Sequence, residues 1–241
     1  MVQQLENDHD PFPSESPRMM KCSIWMVPPE PILSQLQAYI DDLAKIQNTP
    51  TFKPHITLIG GIYISKEKIS VFLQELQLLF NNFGEIPCQV IQHKGIVGFP
   101  DSWNQSCVSL IHRSKELLQA ITLVYKFIQN HNSYFSSHPK DYYYIRPNRN
   151  NNYNINKKED QEQYPTKDDN DDDDDYYSFP SPLLEPHISW AYGNNPSLID
   201  SIPWIPPPHF LCRDLIVMLT HPSTLDGVSK WVELGRISLM P

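Results

Sequence analysis

Hydrophobic residues recur at two different periods along this chain, and the period predicts where helices and strands lie. Three segments repeat apolar positions every three or four residues, as one helical face does: Ile32–Ile46, Ile69–Phe80 and Ser114–Gln129. Other segments alternate or are continuously apolar, as strands are: Cys22–Val27, Phe52–Ile64 with a break at Gly60-Gly61, Cys88–Ile96, Ser106–Ile111, Leu211–Leu219 and Lys230–Leu239. The long apolar strands of a doubly wound parallel sheet are missing, so we predict an α+β fold of two similar halves.

Two stretches depart from this pattern. Residues 1–20 are polar, acidic and rich in proline, which predicts a disordered N-terminal tail. Residues 131–178 consist mainly of Asn, Asp, Lys and Tyr. Such a segment cannot bury enough apolar surface to offset its ordering entropy, so we predict a disordered insertion. The remainder of 21–241 is predicted to be one domain.

Charge and composition narrow the function classes. The chain has 241 residues, 40% of them hydrophobic, and a formal net charge of -9. Residues 151–178 hold ten acids and three lysines, so they account for most of that charge. The rest is near neutral, which argues against a stable nucleic-acid complex held by phosphate neutralisation. The absence of a long apolar run or a secretory pattern predicts an intracellular protein without a membrane span. Four scattered cysteines without a C-x-x-C pair predict buried free thiols.

One short phrase occurs twice. The chain reads F-K-P-H-I-T-L from Phe52 and L-E-P-H-I-S-W from Leu184. In a strand, side chains two residues apart share a face. Each phrase therefore presents an imidazole and a hydroxyl on one face and apolar side chains on the other. If the two halves pack with these polar faces together, His55, Thr57, His187 and Ser189 line one cleft.

This constellation suits acid–base chemistry at phosphorus. Imidazole titrates near neutral pH, so one histidine can take a proton from water while the other donates one to the leaving oxygen. The hydroxyls of Thr57 and Ser189 can donate hydrogen bonds to non-bridging phosphate oxygens. Two histidines without acidic or thiol ligands at suitable spacing make a poor metal site, so we expect no metal and no cofactor.

With these motifs the sequence resembles the 2H phosphoesterases, and more specifically the cyclic phosphodiesterases of plants and fungi. The similarity includes S-I-W-M-V-P-P from Ser23, C-V-S-L-I from Cys107, P-H-I-S-W-A-Y-G from Pro186 and W-V-E-L-G-R-I-S-L from Trp231. The resemblance implies a bilobal α+β fold, in which two pseudo-symmetric lobes with antiparallel sheets face a central cleft.

The resemblance also implies a reaction. ADP-ribose 1'',2''-cyclic phosphate, a by-product of tRNA splicing, would become ADP-ribose 1''-phosphate, and nucleoside 2',3'-cyclic phosphates would become 2'-phosphates. It makes His55 and His187 the acid–base pair. We expect His187 to be the base and His55 the acid, but the two motifs are nearly symmetric and the sequence alone leaves this order open. Thr57, Ser189 and Tyr192 would contact the phosphate or sugar of this small-molecule substrate. The protein would be a monomer, cytoplasmic or Golgi-associated.

The sequence departs from the family pattern in two places, and two other functions are compatible with it. The insertion is foreign to the family, and Trp190 follows Ser189 where a smaller residue is common; the strand alternation points Trp190 to the core. One rival is a 2H enzyme acting on RNA ends, such as a 2'-5' RNA ligase-like protein, which should need a basic groove. The other rival is a nucleotide-binding module without catalysis.

Overall fold

The computed structural model describes residues 19–90, 103–104, 107–130, 186–193 and 209–239. The predicted insertion at 131–178 and nearly all of the predicted tail lie outside the described residues. The helices are α1 Ile32–Gln47, α2 Ile69–Phe80 and α3 Lys115–Asn130. The strands are β1 Met19–Val27, β2 Ile56–Ser65, β3 Ile86–Cys88, β4 Cys107–Leu110, β5 His187–Ala191, β6 Phe210–Cys212, β7 Asp214–Leu219 and β8 Val232–Ser238.

The strand order shows two matching halves. Six strands form one sheet in the order β4-β5-β2-β1-β7-β8, and β3 pairs with β6 in a second sheet. Just beyond β3 and β4 the chain forms a bridge between Val90 and Ile111, and the His112 N–H donates to the Gln89 carbonyl at 2.7 Å. One half therefore runs β2-β1-β7-β8 and the other runs β5-β4-β3-β6. All of these pairings are antiparallel.

The two halves join at their motif strands. Ile56 of β2 pairs with Ile188 of β5, and both side chains are fully buried. Helix α1 links β1 to β2 yet contacts β5, whereas α3 links β4 to β5 yet contacts β2. Each half is thus held against the other by a helix, around a pseudo-twofold axis near the isoleucine pair. The predicted α+β class with two similar halves is confirmed.

The helices follow the apolar periodicity because their buried positions face the back of the sheet. In α1 these positions are Leu36, Ile40, Leu43 and Ala44. Helix α3 begins where the Ser114 hydroxyl accepts a hydrogen bond from the Leu117 N–H at 3.2 Å, a usual N-cap. Trp190 is 1% exposed in the same core, which confirms its predicted orientation. All four cysteines are free and buried, as predicted.

Several strand predictions need correction. Strand β1 begins at Met19, so Met19 and Met20 belong to the sheet and not to the tail. Strand β2 runs through Gly60-Gly61 without a break, because Gly61 adopts φ +71° at a bulge opposite β1. The segment Leu211–Leu219 is two strands, since the chain leaves one sheet at Arg213 and enters the other.

Within the described residues, no helix combines the length and the apolarity that a bilayer crossing requires.

Candidate active site

His55 lies one residue before β2, so the strand predicted from Phe52 begins later than expected. Its Nδ1 is 2.6 Å from the carbonyl oxygen of Lys53. A carbonyl can only accept, so Nδ1 carries the hydrogen and donates it. In the neutral ring, Nε2 is then left with a free lone pair. This short-range bond therefore determines which His55 nitrogen can accept a proton.

Aromatic rings enclose the imidazole of His55. The Trp25 ring stacks on it with centroids 3.6 Å apart, and Phe52 approaches edge-on at 6.2 Å. Burial lowers the pKa of His55 to about 3, while the Lys53 carbonyl acts to raise it and the nearby His187 lowers it further. The ring is therefore neutral at neutral pH, because a charged imidazolium here would lose its hydration.

The strand register brings the second motif beside the first. Because Ile56 and Ile188 are paired antiparallel, the residues flanking them are also neighbours: His55 with Ser189, and Thr57 with His187. The two isoleucines fill the core side, so these four side chains take the opposite face. Thr57 and His187 are half-buried there. The two motifs thus meet side by side where the halves join.

Ser189 and Tyr192 form the more deeply buried part of this group. The Ser189 hydroxyl donates to the Asn104 carbonyl at 3.1 Å and is 4% exposed. Tyr192 is 3% exposed and hydrogen-bonds with Ser189. Burial raises the pKa of the Tyr192 phenol, so it stays neutral. Tyr192 is therefore linked to the face that carries the motif residues by its hydrogen bond with Ser189.

Several aromatic residues that lie around the motif residues were not predicted from the sequence. Phe52 stacks on Tyr192 at 3.7 Å, and Trp231 lies 5.8 Å from Trp25 and 6.2 Å from Tyr192, measured between ring centroids. Trp103 packs edge-on against Tyr192 at 5.5 Å. Phe52 and Trp231 lie in quoted family-like segments, but no local signal indicates that they meet. Over the described ranges, His, Cys, Asp and Glu side chains do not gather in threes as a metal site would require.

The burial of His55 makes a prediction for stability against pH. The unfolded imidazole takes up a proton below its ordinary pKa of 6.5, whereas the folded one does so only near 3. Between these two pKa values unfolding therefore takes up a proton. As the pH falls through this window, the free energy of unfolding of the wild type decreases by up to about 1.4 kcal/mol per pH unit. His55→Asn keeps a donor for the Lys53 carbonyl but does not titrate.

Urea unfolding of both proteins between pH 7 and 4.5 checks this. We expect the stability of the wild type relative to His55→Asn to fall as the pH drops, with the steepest change below pH 6.5. Parallel stability curves for the two proteins would mean that His55 titrates normally in the folded state.

The described structure is an antiparallel α+β body that carries two histidine motifs side by side where its halves join. The family model described as "Cyclic phosphodiesterase-like protein" matches residues 20–201. This chain belongs to that family, within the 2H phosphoesterase superfamily.

Several solved structures are similar to this chain, and the first of them supports the fold. E. coli LigT in its apo form is 11% identical with a TM-score of 0.50, covering 93% of this chain and 99% of its own. LigT complexed with 3'-AMP is 11% identical with a TM-score of 0.46, covering 94% and 100%. A structure described as a phosphoesterase is 12% identical with a TM-score of 0.45, covering 93% and 100%. No curated protein sequence matches the chain.

Proposed function

We propose that this protein hydrolyses cyclic phosphodiesters without a metal ion. It opens ADP-ribose 1'',2''-cyclic phosphate to ADP-ribose 1''-phosphate, and nucleoside 2',3'-cyclic phosphates to nucleoside 2'-phosphates. The observation that carries the proposal is the meeting of His55 and His187, one from each half, on one face of the sheet. Membership of the cyclic phosphodiesterase-like family supports the same reaction class. Such an enzyme would consume by-products of tRNA splicing.

The geometry of His55 favours the base role, which is the reverse of the order expected in the sequence analysis. Its Nδ1–H is donated to Lys53, so Nε2 offers a lone pair and no proton. The ring is also neutral before substrate binds. A bound phosphodiester anion favours the imidazolium, so substrate binding strengthens this base as the reaction begins. His187 is then the acid.

Two protons move in the proposed hydrolysis of a nucleoside 2',3'-cyclic phosphate. His55 Nε2 takes a proton from water while the water oxygen bonds to phosphorus. The bond from phosphorus to the 3' oxygen breaks, and that oxygen takes a proton from His187. The 2'-phosphate remains on the sugar. For the next turnover the proton moves from His55 back to His187 through solvent.

The hydroxyls next to the histidines provide donors for the charge that grows on phosphorus. Thr57 is half-buried at the face, and its hydroxyl can donate to a non-bridging oxygen of a phosphate bound there. Ser189 can turn its hydroxyl from the Asn104 carbonyl to the phosphate, since a hydroxyl rotates about a single bond. Tyr192 supports Ser189 by its hydrogen bond. Removing one such donor typically costs about 10²- to 10³-fold in kcat.

The surrounding rings favour a small nucleotide as substrate. Trp231 is only partly buried beside Trp25, and its flat ring suits a base or sugar because stacking buries apolar area while leaving polar edges free. The nearby Lys53 and Arg236 are already paired with carboxylates, so they do not form a basic groove for an RNA strand.

The activity test uses the purified protein with EDTA present. ADP-ribose 1'',2''-cyclic phosphate and adenosine 2',3'-cyclic phosphate are supplied separately, and products are followed by phosphorus NMR. We expect turnover of both substrates, with adenosine 2'-phosphate as the product of the second. Formation of the 3'-phosphate would contradict the proposed bond cleavage. No turnover of either substrate would reject the function, and RNA with a 2',3'-cyclic phosphate end would be tested next.

A further inference from the structure

Lys53 has two separate roles in the described structure, one for its backbone and one for its side chain. Its carbonyl accepts the Nδ1–H of His55. Its Nζ donates to Glu233 Oε2 at 2.7 Å, although the two residues are 180 positions apart. Both side chains are about one-third exposed. The residue that orients the His55 ring is therefore tied to β8, at the outer edge of its half.

Glu233 is itself held in place by other ionic contacts. Arg236 Nε donates to Glu233 Oε1 at 3.2 Å, and Arg236 Nη1 donates to Asp214 Oδ2 at 3.0 Å. Burial acts to raise the pKa of Glu233, but hydrogen bonds from Lys53 and Arg236 outweigh it and hold the pKa below its usual value. The carboxylate is therefore a charged anchor on β8, bridging two cations.

The backbone around Lys53 has little freedom of its own. The next residue is Pro54, which restricts Lys53 to extended conformations. Phe52 stacks on Tyr192, and the Phe52 carbonyl accepts from Gln37 Nε2 at 3.0 Å. Within that extended range the Lys53 carbonyl can still turn by small amounts, and the contact of the Lys53 side chain with Glu233 is a further restraint on this movement.

We propose that Glu233, acting through its ion pair with Lys53, is a positioning residue that keeps the Lys53 carbonyl aimed at His55 Nδ1. The inference rests on the proposed function for its kinetic readout. Glu233 does not touch the reacting atoms. It keeps His55 in the tautomer whose Nε2 accepts the proton of water. Loss of the ion pair loosens the Lys53 carbonyl within the extended range that Pro54 allows, which weakens its bond to Nδ1 and lets the tautomer with a hydrogen on Nε2 compete.

The kinetic experiment compares Glu233→Gln, Lys53→Met and the double variant. We expect Glu233→Gln to lower kcat by roughly 5- to 50-fold and to change KM less than about twofold, because misorientation affects the transition state. The double variant should be no slower than Lys53→Met alone, since both remove the same contact. The exchanged pair, Lys53→Glu with Glu233→Lys, should recover part of the activity.

The matched control is Glu85→Gln. It breaks a different ion pair, the one between Glu85 and Arg213. The Arg213 side chain is 63% exposed. The kcat of Glu85→Gln should stay within about twofold of wild type. A Lys53→Met variant that raises KM strongly while Glu233→Gln leaves both constants unchanged would overturn the proposal, because Lys53 would then act on the substrate directly.

A second readout does not need turnover. Nitrogen-15 NMR of ring-labelled histidine reports which His55 nitrogen carries the hydrogen. We expect the wild type to hold it on Nδ1 and Glu233→Gln to show a mixture of both tautomers. If the wild type is inactive on every cyclic phosphate, this measurement still tests the positioning role. An unchanged Nδ1–H tautomer in Glu233→Gln would overturn it.

Discussion

We expect His55→Ala and His187→Ala each to lower kcat for a cyclic phosphodiester by roughly 10²- to 10⁴-fold, the usual contribution of a positioned acid or base. Each loss alone interrupts the same proton transfer. The double variant should therefore be little slower than either single one, as for residues that act as a unit. Initial rates with EDTA present, measured on wild type, both single variants and the double variant, check this expectation.

Two further variants distinguish the loss of the imidazole from a loss of folding. His55 is enclosed by Trp25 and Phe52, so His55→Ala leaves a cavity that could destabilise the site. His55→Asn keeps the donor to the Lys53 carbonyl and fills more of the space, and it should be equally inactive. His112→Ala is the matched control, because His112 is exposed and outside the motifs. Activity above about a tenth of wild type in His55→Asn would contradict the base role.

Trp190→Ala is expected to lower the free energy of unfolding by about 3–5 kcal/mol, the usual cost of truncating a large core aromatic residue. Trp190 is 1% exposed and packs edge-on against Tyr39, with centroids 5.4 Å apart. Its Nε1–H also donates to the Ser109 hydroxyl at 2.8 Å. Because Trp190 adjoins Ser189 on β5, this loss also loosens the strand that carries His187. Urea unfolding measures the change.

Trp190→Phe separates packing from hydrogen bonding. It retains most of the ring volume but leaves the buried Ser109 hydroxyl without its donor, at a cost of about 1–3 kcal/mol. This variant also keeps the test informative if Trp190→Ala does not fold. Leu78→Ala, at a position 68% exposed, should change stability by no more than about 0.5 kcal/mol. Equal stability of Trp190→Ala and wild type would show that β5 tolerates the cavity.

Local pattern was sufficient for the helices and for the identity of the motif residues. The predicted bounds of α2, Ile69–Phe80, are those of the structure, and α1 ends one residue later than predicted. The apolar backs of both motif strands are buried at Ile56 and Ile188. These succeed because the period of apolar residues reports which side of one segment meets water, and that property is local.

Pairing between distant segments could not be read in this way. The alternation in Leu211–Leu219 gave no sign that the chain divides between two sheets at Arg213. Nor did Gly60-Gly61 reveal whether it ends a strand or forms a bulge within one. In both cases the outcome depends on which neighbouring strand supplies hydrogen-bond partners, and that neighbour lies far away in sequence.

The chemistry of the site also depends partly on local sequence and partly on contacts between distant residues. The two Pro-His-Ile-hydroxyl motifs in the sequence already indicate paired imidazoles and the reaction class that such a pair suits. Tertiary contacts decided the state of His55: Trp25 covers its ring, and Glu233 on another strand pairs with Lys53, the residue whose carbonyl accepts the Nδ1–H. Proton affinity depends on desolvation and on nearby charges and dipoles, and these are contributed by residues that meet only when the chain is folded.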